Sequence, residues 1–107
     1  MAIQAIKLED YEARIANEAE GILIDFWREN CGTCQALSQA LEQVAEEKPE
    51  LKIYSVCVDT EAELAKKMKV MMAPSLLFVK AGVTKKKSLG YKSKESILEM
   101  LETYFQE

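Results

Sequence analysis

Large apolar residues crowd the stretch Ile22-Leu23-Ile24-Asp25-Phe26-Trp27, and only Asp25 interrupts them. A run of that length with so little alternation suits a strand covered on both faces, which predicts a central parallel strand opened by Gly21. Past Cys34 the period changes. Ala36, Leu37, Ala40, Leu41, Val44 and Ala45 recur as one stripe of a helix, and Pro49 follows where that helix has ended. The segment from Leu51 to Val58 returns to β-branched and aromatic residues and predicts another strand; Thr60 and Glu63, at capping-box spacing, then open a short helix. Ser75 to Val79, a turn at Ala81-Gly82, and Val83 to Leu89 read as a hairpin. A last helix starts near Ser93, with Ile97, Leu98, Leu101, Tyr104 and Phe105 on its apolar face. Leu8, Tyr11 and Ile15 mark an earlier helix behind a short strand around Ile3 to Ile6.

The predicted order, β-α-β-α-β-α-β-β-α, packs as a three-layer α/β/α domain around a central mixed five-stranded sheet, parallel where helices join the strands. In such sheets sites lie beyond the carboxyl ends of the central strands, which is where Cys31 falls. The chain has 107 residues and no repeat or linker, so residues 1–107 are read as a single domain.

Composition narrows the function mostly by what is missing. With 49% hydrophobic and 30% charged residues the chain is globular in balance, and a net charge of -4 supplies no basic surface for phosphate, so nucleic acid is not an expected partner. Apolar runs such as Ile22 to Ile24 and Leu76 to Val79 fall far short of the roughly 20 residues that cross a bilayer. Met1 to Asp10 lacks the continuous apolar stretch of a secretory leader, so a cytoplasmic protein without a membrane partner is expected. There is no histidine, which removes Cys-His and Ser-His-Asp catalysis and mixed Cys/His zinc sites together. Three cysteines cannot close a disulfide framework, and in a reducing compartment a close pair is redox-active or metal-binding more often than structural.

Four landmarks in order, Ile24-Asp25-Phe26-Trp27, Cys31-Gly32-Thr33-Cys34, Ala73-Pro74-Ser75-Leu76 and Leu89-Gly90, resemble the thioredoxin family over essentially the whole chain. Three-residue spacing at a helix start puts both sulfurs on one face of the first turn, near unpaired N–H groups and the positive end of the helix dipole, which favours a thiolate. The resemblance implies that an exposed Cys31 attacks a substrate disulfide and that the more buried Cys34 resolves the mixed disulfide. It also implies that Asp25 serves as base toward Cys34; a carboxyl buried in an apolar strand without a partner has its pKa raised in any case. Pro74 resembles the family's cis proline, with Ala73 before it offering its backbone to the substrate. Trp27 is expected as a wall beside the dithiol, Gly90 as a point of close backbone approach. Asn30, Gly32, Thr33, Met72 and Tyr91 complete the expected substrate surface. For Met71 and Met72, core packing is the rival to an adaptable apolar rim.

The chain also departs from the family pattern. Thr33 stands where proline is usual and restores a backbone N–H; if that N–H reaches the Cys31 thiolate, a bond of about 1.5–3 kcal/mol raises the potential by roughly 30–60 mV and makes a weaker reductant. Asn30 replaces a usual tryptophan, Gln39 a helix-kinking proline and Ser55 a lysine near the buried aspartate, which alters the surface on which a flavoprotein reductase docks. Cys57 is expected as a buried structural thiol, and Lys85-Lys86-Lys87 as a solvated run protecting a sheet edge.

The expected function is an atypical thioredoxin acting as a protein disulfide reductase. It needs no bound cofactor, works as a monomer on protein disulfides, and draws electrons from a thioredoxin reductase or a dedicated flavoprotein reductase. The alternatives are a disulfide isomerase or oxidant-leaning exchanger, a metal or iron-sulfur module using Cys31 and Cys34 of two chains, and a redox-silent interaction domain.

Overall fold

Ile22 to Phe26 are all buried, as their strand β2 (Gly21–Trp27) must be when it lies at the middle of a sheet with helices on both faces. These features come from a computed structural model that describes residues 3–105. The single-domain reading also takes in residues 1, 2, 106 and 107, which lie outside the described residues. The other elements are β1 (Ile3–Ala5), α1 (Gly32–Glu47), β3 (Lys52–Cys57), α2 (Ala62–Lys67), β4 (Ser75–Lys80), β5 (Val83–Leu89) and α3 (Lys94–Phe105). The sheet runs β1-β3-β2-β4-β5, with β3 parallel to both β1 and β2, and β4 antiparallel to both β2 and β5.

Alternation along β2 sends its side chains into two cores. Ile22, Ile24 and Phe26 meet Ile15 and Leu64 on the α2 side, whereas Leu23 meets Leu37, Leu41 and Ile97 on the side of α1 and α3. Asp25 shares the parity of Leu23 and pairs in register with Ser55 on β3 and Leu76 on β4, so its carboxyl faces α1.

Two local expectations are corrected. The segment with Leu8, Tyr11 and Ile15 is not a regular α-helix but a 3₁₀ turn (Leu8–Asp10) running into a wider π-helical turn (Glu12–Ala16). Its free N-terminal amides are capped by side chains: Asp10 accepts the Lys7 N–H at 2.9 Å and Glu61 accepts the Leu8 N–H at 3.0 Å. Ile15 is still fully buried. Thr60 does not cap α2: its hydroxyl donates to the Cys57 carbonyl, and the capping position falls to Glu61, whose carboxylate accepts the Leu8 N–H.

The β4–β5 hairpin turns on Ala81 (φ 55°) and Gly82 (φ 77°), both left-handed, the two-residue turn that matches strand twist. A Cβ on Gly82 would sit 2.8 Å from the Ala16 carbonyl oxygen, a backbone atom that cannot swing aside. Gly82→Ala is therefore expected to destabilise the fold by about 2 kcal/mol and to lower Tm by roughly 10 °C in a thermal melt. An unshifted Tm would show that this contact relaxes without cost.

Candidate active site

β2 delivers the chain to α1 through a short loop held at both ends. The Val58 N–H donates to the Trp27 carbonyl at 2.8 Å and the Glu29 N–H donates to Asp59 Oδ2 at 3.1 Å. Asn30 then turns the backbone with φ 57°, a left-handed conformation that asparagine tolerates better than most residues. Cys31 follows in extended geometry as the N-cap of α1, and its sulfur takes the place of the usual cap oxygen by accepting the Cys34 N–H at 3.2 Å. Cys31 and Cys34 are joined as a disulfide with Cα atoms 5.2 Å apart. In this state both are largely covered, Cys31 at 8% exposure and Cys34 at 3%, so the expectation of an exposed Cys31 is corrected to the more accessible of two shielded cysteines.

The Thr33 hydroxyl also lies 3.5 Å from Cys31 Sγ. In this disulfide state Cys31 occupies the cap, and the amide directed at its sulfur is that of Cys34.

Asp25 is 2% exposed, and its Oδ1 has no hydrogen-bond partner. Burial alone pushes its carboxyl up to about 7. Ser55, beside it across β2–β3, brings no charge to oppose that rise. A cleft of about 320 Å³ is lined by Asp25 and Cys34 together, with Trp27 and Asn30 on its wall. Ser38, Glu42 and Arg28 line it too. Sequence reasoning missed all three, although Cys34, Ser38 and Glu42 at i, i+4 and i+8 share one helical face and could have been found by that spacing.

The Ala73–Pro74 peptide bond is cis. Its loop is tied down by the Gly90 N–H, which donates to the Pro74 carbonyl at 2.9 Å, and by the Ser75 hydroxyl, which donates to the Met72 carbonyl at 2.6 Å. Gly90 has φ 82° and open space where a Cβ would stand, and Gly32 likewise has no neighbour there. Met71, Met72 and Tyr91 are exposed, so core packing does not account for the two methionines. Cys57 is a free thiol only half buried at the end of β3, which corrects its expected burial. Lys85, Lys86 and Lys87 lie exposed on the edge strand β5. Among the described residues no three His, Cys, Asp or Glu side chains converge as a metal centre requires, and no helix is long and apolar enough to cross a membrane.

Two sulfurs that bond each other at a helix tip, one of them reachable, can pass that bond to another pair of thiols and receive it back. The architecture and this chemistry together define a dithiol–disulfide exchange protein on the thioredoxin fold. Known proteins agree. The family model described as Thioredoxin matches residues 2–103. The thioredoxin of Chlamydia trachomatis is 32% identical over 92% of this chain and 95% of its own, and that of Bacillus subtilis 38% identical over 80% and 85%. The bifunctional thioredoxin reductase/thioredoxin of Mycobacterium leprae is 30% identical over 80% of this chain and 19% of its own length. The crystal structure of chloroplastic thioredoxin z superposes with a TM-score of 0.84 at 25% identity, covering 97% of this chain and 95% of that one. The chain belongs to the thioredoxin family. It is a thioredoxin-type thiol-disulfide oxidoreductase whose redox pair is Cys31 and Cys34.

Proposed function

We propose that the protein is a disulfide reductase in which Cys31 is the nucleophile, Cys34 the resolving thiol and Asp25 the base. In the reduced chain the Cys31 thiolate attacks one sulfur of a substrate disulfide, forming a mixed disulfide and releasing the other as thiolate. Asp25 takes the proton of Cys34, and the Cys34 thiolate attacks Cys31, which frees the second substrate cysteine and closes the Cys31–Cys34 bond. The observation carrying this reading is that Asp25 and Cys34 line one cleft while Cys31 is the more accessible cysteine. Trp27, Asn30, Gly32, Thr33, Met72, Ala73, Pro74, Gly90 and Tyr91 form the substrate surface in this reading. The vacant space at Gly32 and Gly90 leaves room for a partner backbone.

The electron donor in this proposal is a thioredoxin reductase, a pairing supported by the Mycobacterium leprae protein that joins the two in one chain. The protein acts as a single domain and as a monomer, in the cytoplasm, and needs no resident cofactor because the electrons reside in the two sulfurs.

It is atypical in its potential. The Thr33 hydroxyl lies where it can donate to a Cys31 thiolate, which stabilises the reduced form. Thr33→Val is expected to lower the potential by roughly 30–60 mV, the equivalent of one charge-assisted bond of about 1.5–3 kcal/mol, read by equilibration with glutathione. In the same preparations, turnover of an insulin-type disulfide with a chemical reductant should be present in the native chain and absent in Cys31→Ser. An unmoved potential removes the hydroxyl from the account; a native chain that does not turn over removes the reductase.

A further inference from the structure

A second depression, of about 970 Å³, runs along α2 to the segment before Pro74. Its charge is out of keeping with the chain. Arg28, Lys66 and Lys69 line it, and the single acid among the described lining residues is Asp59, whose Oδ2 already accepts the Glu29 N–H. The whole chain carries a net charge of -4, so cations are gathered here against the average. Lys87 brings a further ammonium to the same edge by donating to the Lys69 carbonyl. Lys66, in the last turn of α2, also offsets that helix's dipole. That role does not extend to Arg28, which comes from the loop after β2, or to Lys69, which lies beyond the helix.

Apolar surface lies alongside these charges. Met71 is 96% exposed and Met72 56% exposed, and both line the groove. Flexible thioether side chains left in water at such levels mark a surface that adapts to varied apolar partners. The groove is continuous with the redox site through Arg28, which lines both it and the cleft of Cys34.

We infer that this groove selects, for the oxidoreductase activity proposed above, protein disulfides whose reacting cysteine lies in an acidic segment. The substrate's carboxylates meet Arg28, Lys66 and Lys69, and an apolar side chain of the segment rests on Met71 and Met72. The inference thus deepens the reductase reading and rests on it.

The test uses three peptide disulfides identical except for flanking glutamates, glutamines or lysines. The reduced full-length chain is mixed with each, and Trp27 fluorescence follows its oxidation. Each rate is divided by that of a small neutral dithiol on the same peptide, which removes the peptide's own charge effect. At low salt the acidic peptide is expected to react about tenfold faster than the basic one, the ratio collapsing toward one at high salt. Lys66→Glu/Lys69→Glu should reverse the order. Lys48→Glu should leave the ratio unchanged, because α1 separates Lys48 from the dithiol by about 24 Å, well beyond the Debye length of about 8 Å. Equal normalised rates for the three peptides, or a ratio that the double variant does not move, would overturn the groove assignment alone. Failure to reduce even the glutamine peptide would take the reductase reading down with it.

Discussion

A Cys34→Ser chain is expected to take up one cysteine of a protein disulfide on Cys31 and keep it. Attack needs only the outer sulfur, which the fold holds at the cap of α1 with the Cys34 N–H on it. A serine amide at position 34 supplies the same bond. Release needs a second sulfur close behind the first, and the native pair, with Cα atoms 5.2 Å apart, makes that step intramolecular. A rescuing thiol from solution has to arrive by collision, and oriented intramolecular groups act as if at about 10⁵ M or more. Turnover of an insulin-type substrate should therefore fall by at least about 10³-fold, while a mixed disulfide accumulates to nearly one per chain. Mass spectrometry of the acid-quenched, non-reduced mixture reads that stoichiometry directly. Cys31→Ser should trap nothing, since Cys34 is the more covered of the two at 3% exposure. Trapping by Cys31→Ser instead would reverse the assignment, and near-native turnover by Cys34→Ser would remove Cys34 as the resolving group.

How far the residues alone lead depends on whether a feature is periodic or contingent. β2 and α1 were legible because burial on two faces and burial on one face leave different spacings, and nothing elsewhere in the chain competes for those backbones. The N-terminal turn was not: the spacing of Leu8, Tyr11 and Ile15 fits an α-helix, whereas the backbone winds as a 3₁₀ and then a π turn, with Glu61, more than fifty residues away, on the Leu8 N–H. Nor was the fate of the capping box at Thr60, whose hydroxyl donates to the Cys57 carbonyl instead of capping α2. In the site, Cys31, Cys34, Asp25 and Pro74 were recognisable as a pattern in order. Which atom of Thr33 faces the sulfur was not, because it follows from Cys31 being the cap residue, a matter of backbone angle. Arg28 lies some forty residues from Lys66 and Lys69, and only the folded chain brings it to their side.

Asp25→Asn should change two quantities that one structural cause links. The carboxyl is buried and unpartnered at Oδ1, which lifts it from 3.8 to about 7 in the folded, oxidised chain. Because the folded state then holds this proton more tightly than the unfolded one, the stabilisation is fully present below the unfolded pKa of about 4 and is lost as pH rises through about 7. The loss amounts to about 4 kcal/mol, the cost of an ionised carboxylate in that strand, and asparagine never incurs it. Denaturant unfolding of the oxidised proteins should show Asp25→Asn matching the native chain near pH 4 and exceeding it by up to about 4 kcal/mol near pH 8. A difference that stays flat with pH would mean that water in the cleft solvates the carboxylate after all. The second quantity is the resolution rate, measured on the preformed mixed disulfide at neutral pH. It should fall on the order of 100-fold in the variant, and the native rate should rise with pH through the ionisation of Asp25, a rise the variant lacks. The two readouts part company under the simpler view that Asp25 is merely an awkward buried acid. In that case Asp25→Asn gains stability with no change in resolution, whereas a base facing Cys34 across a shared cleft requires both to move.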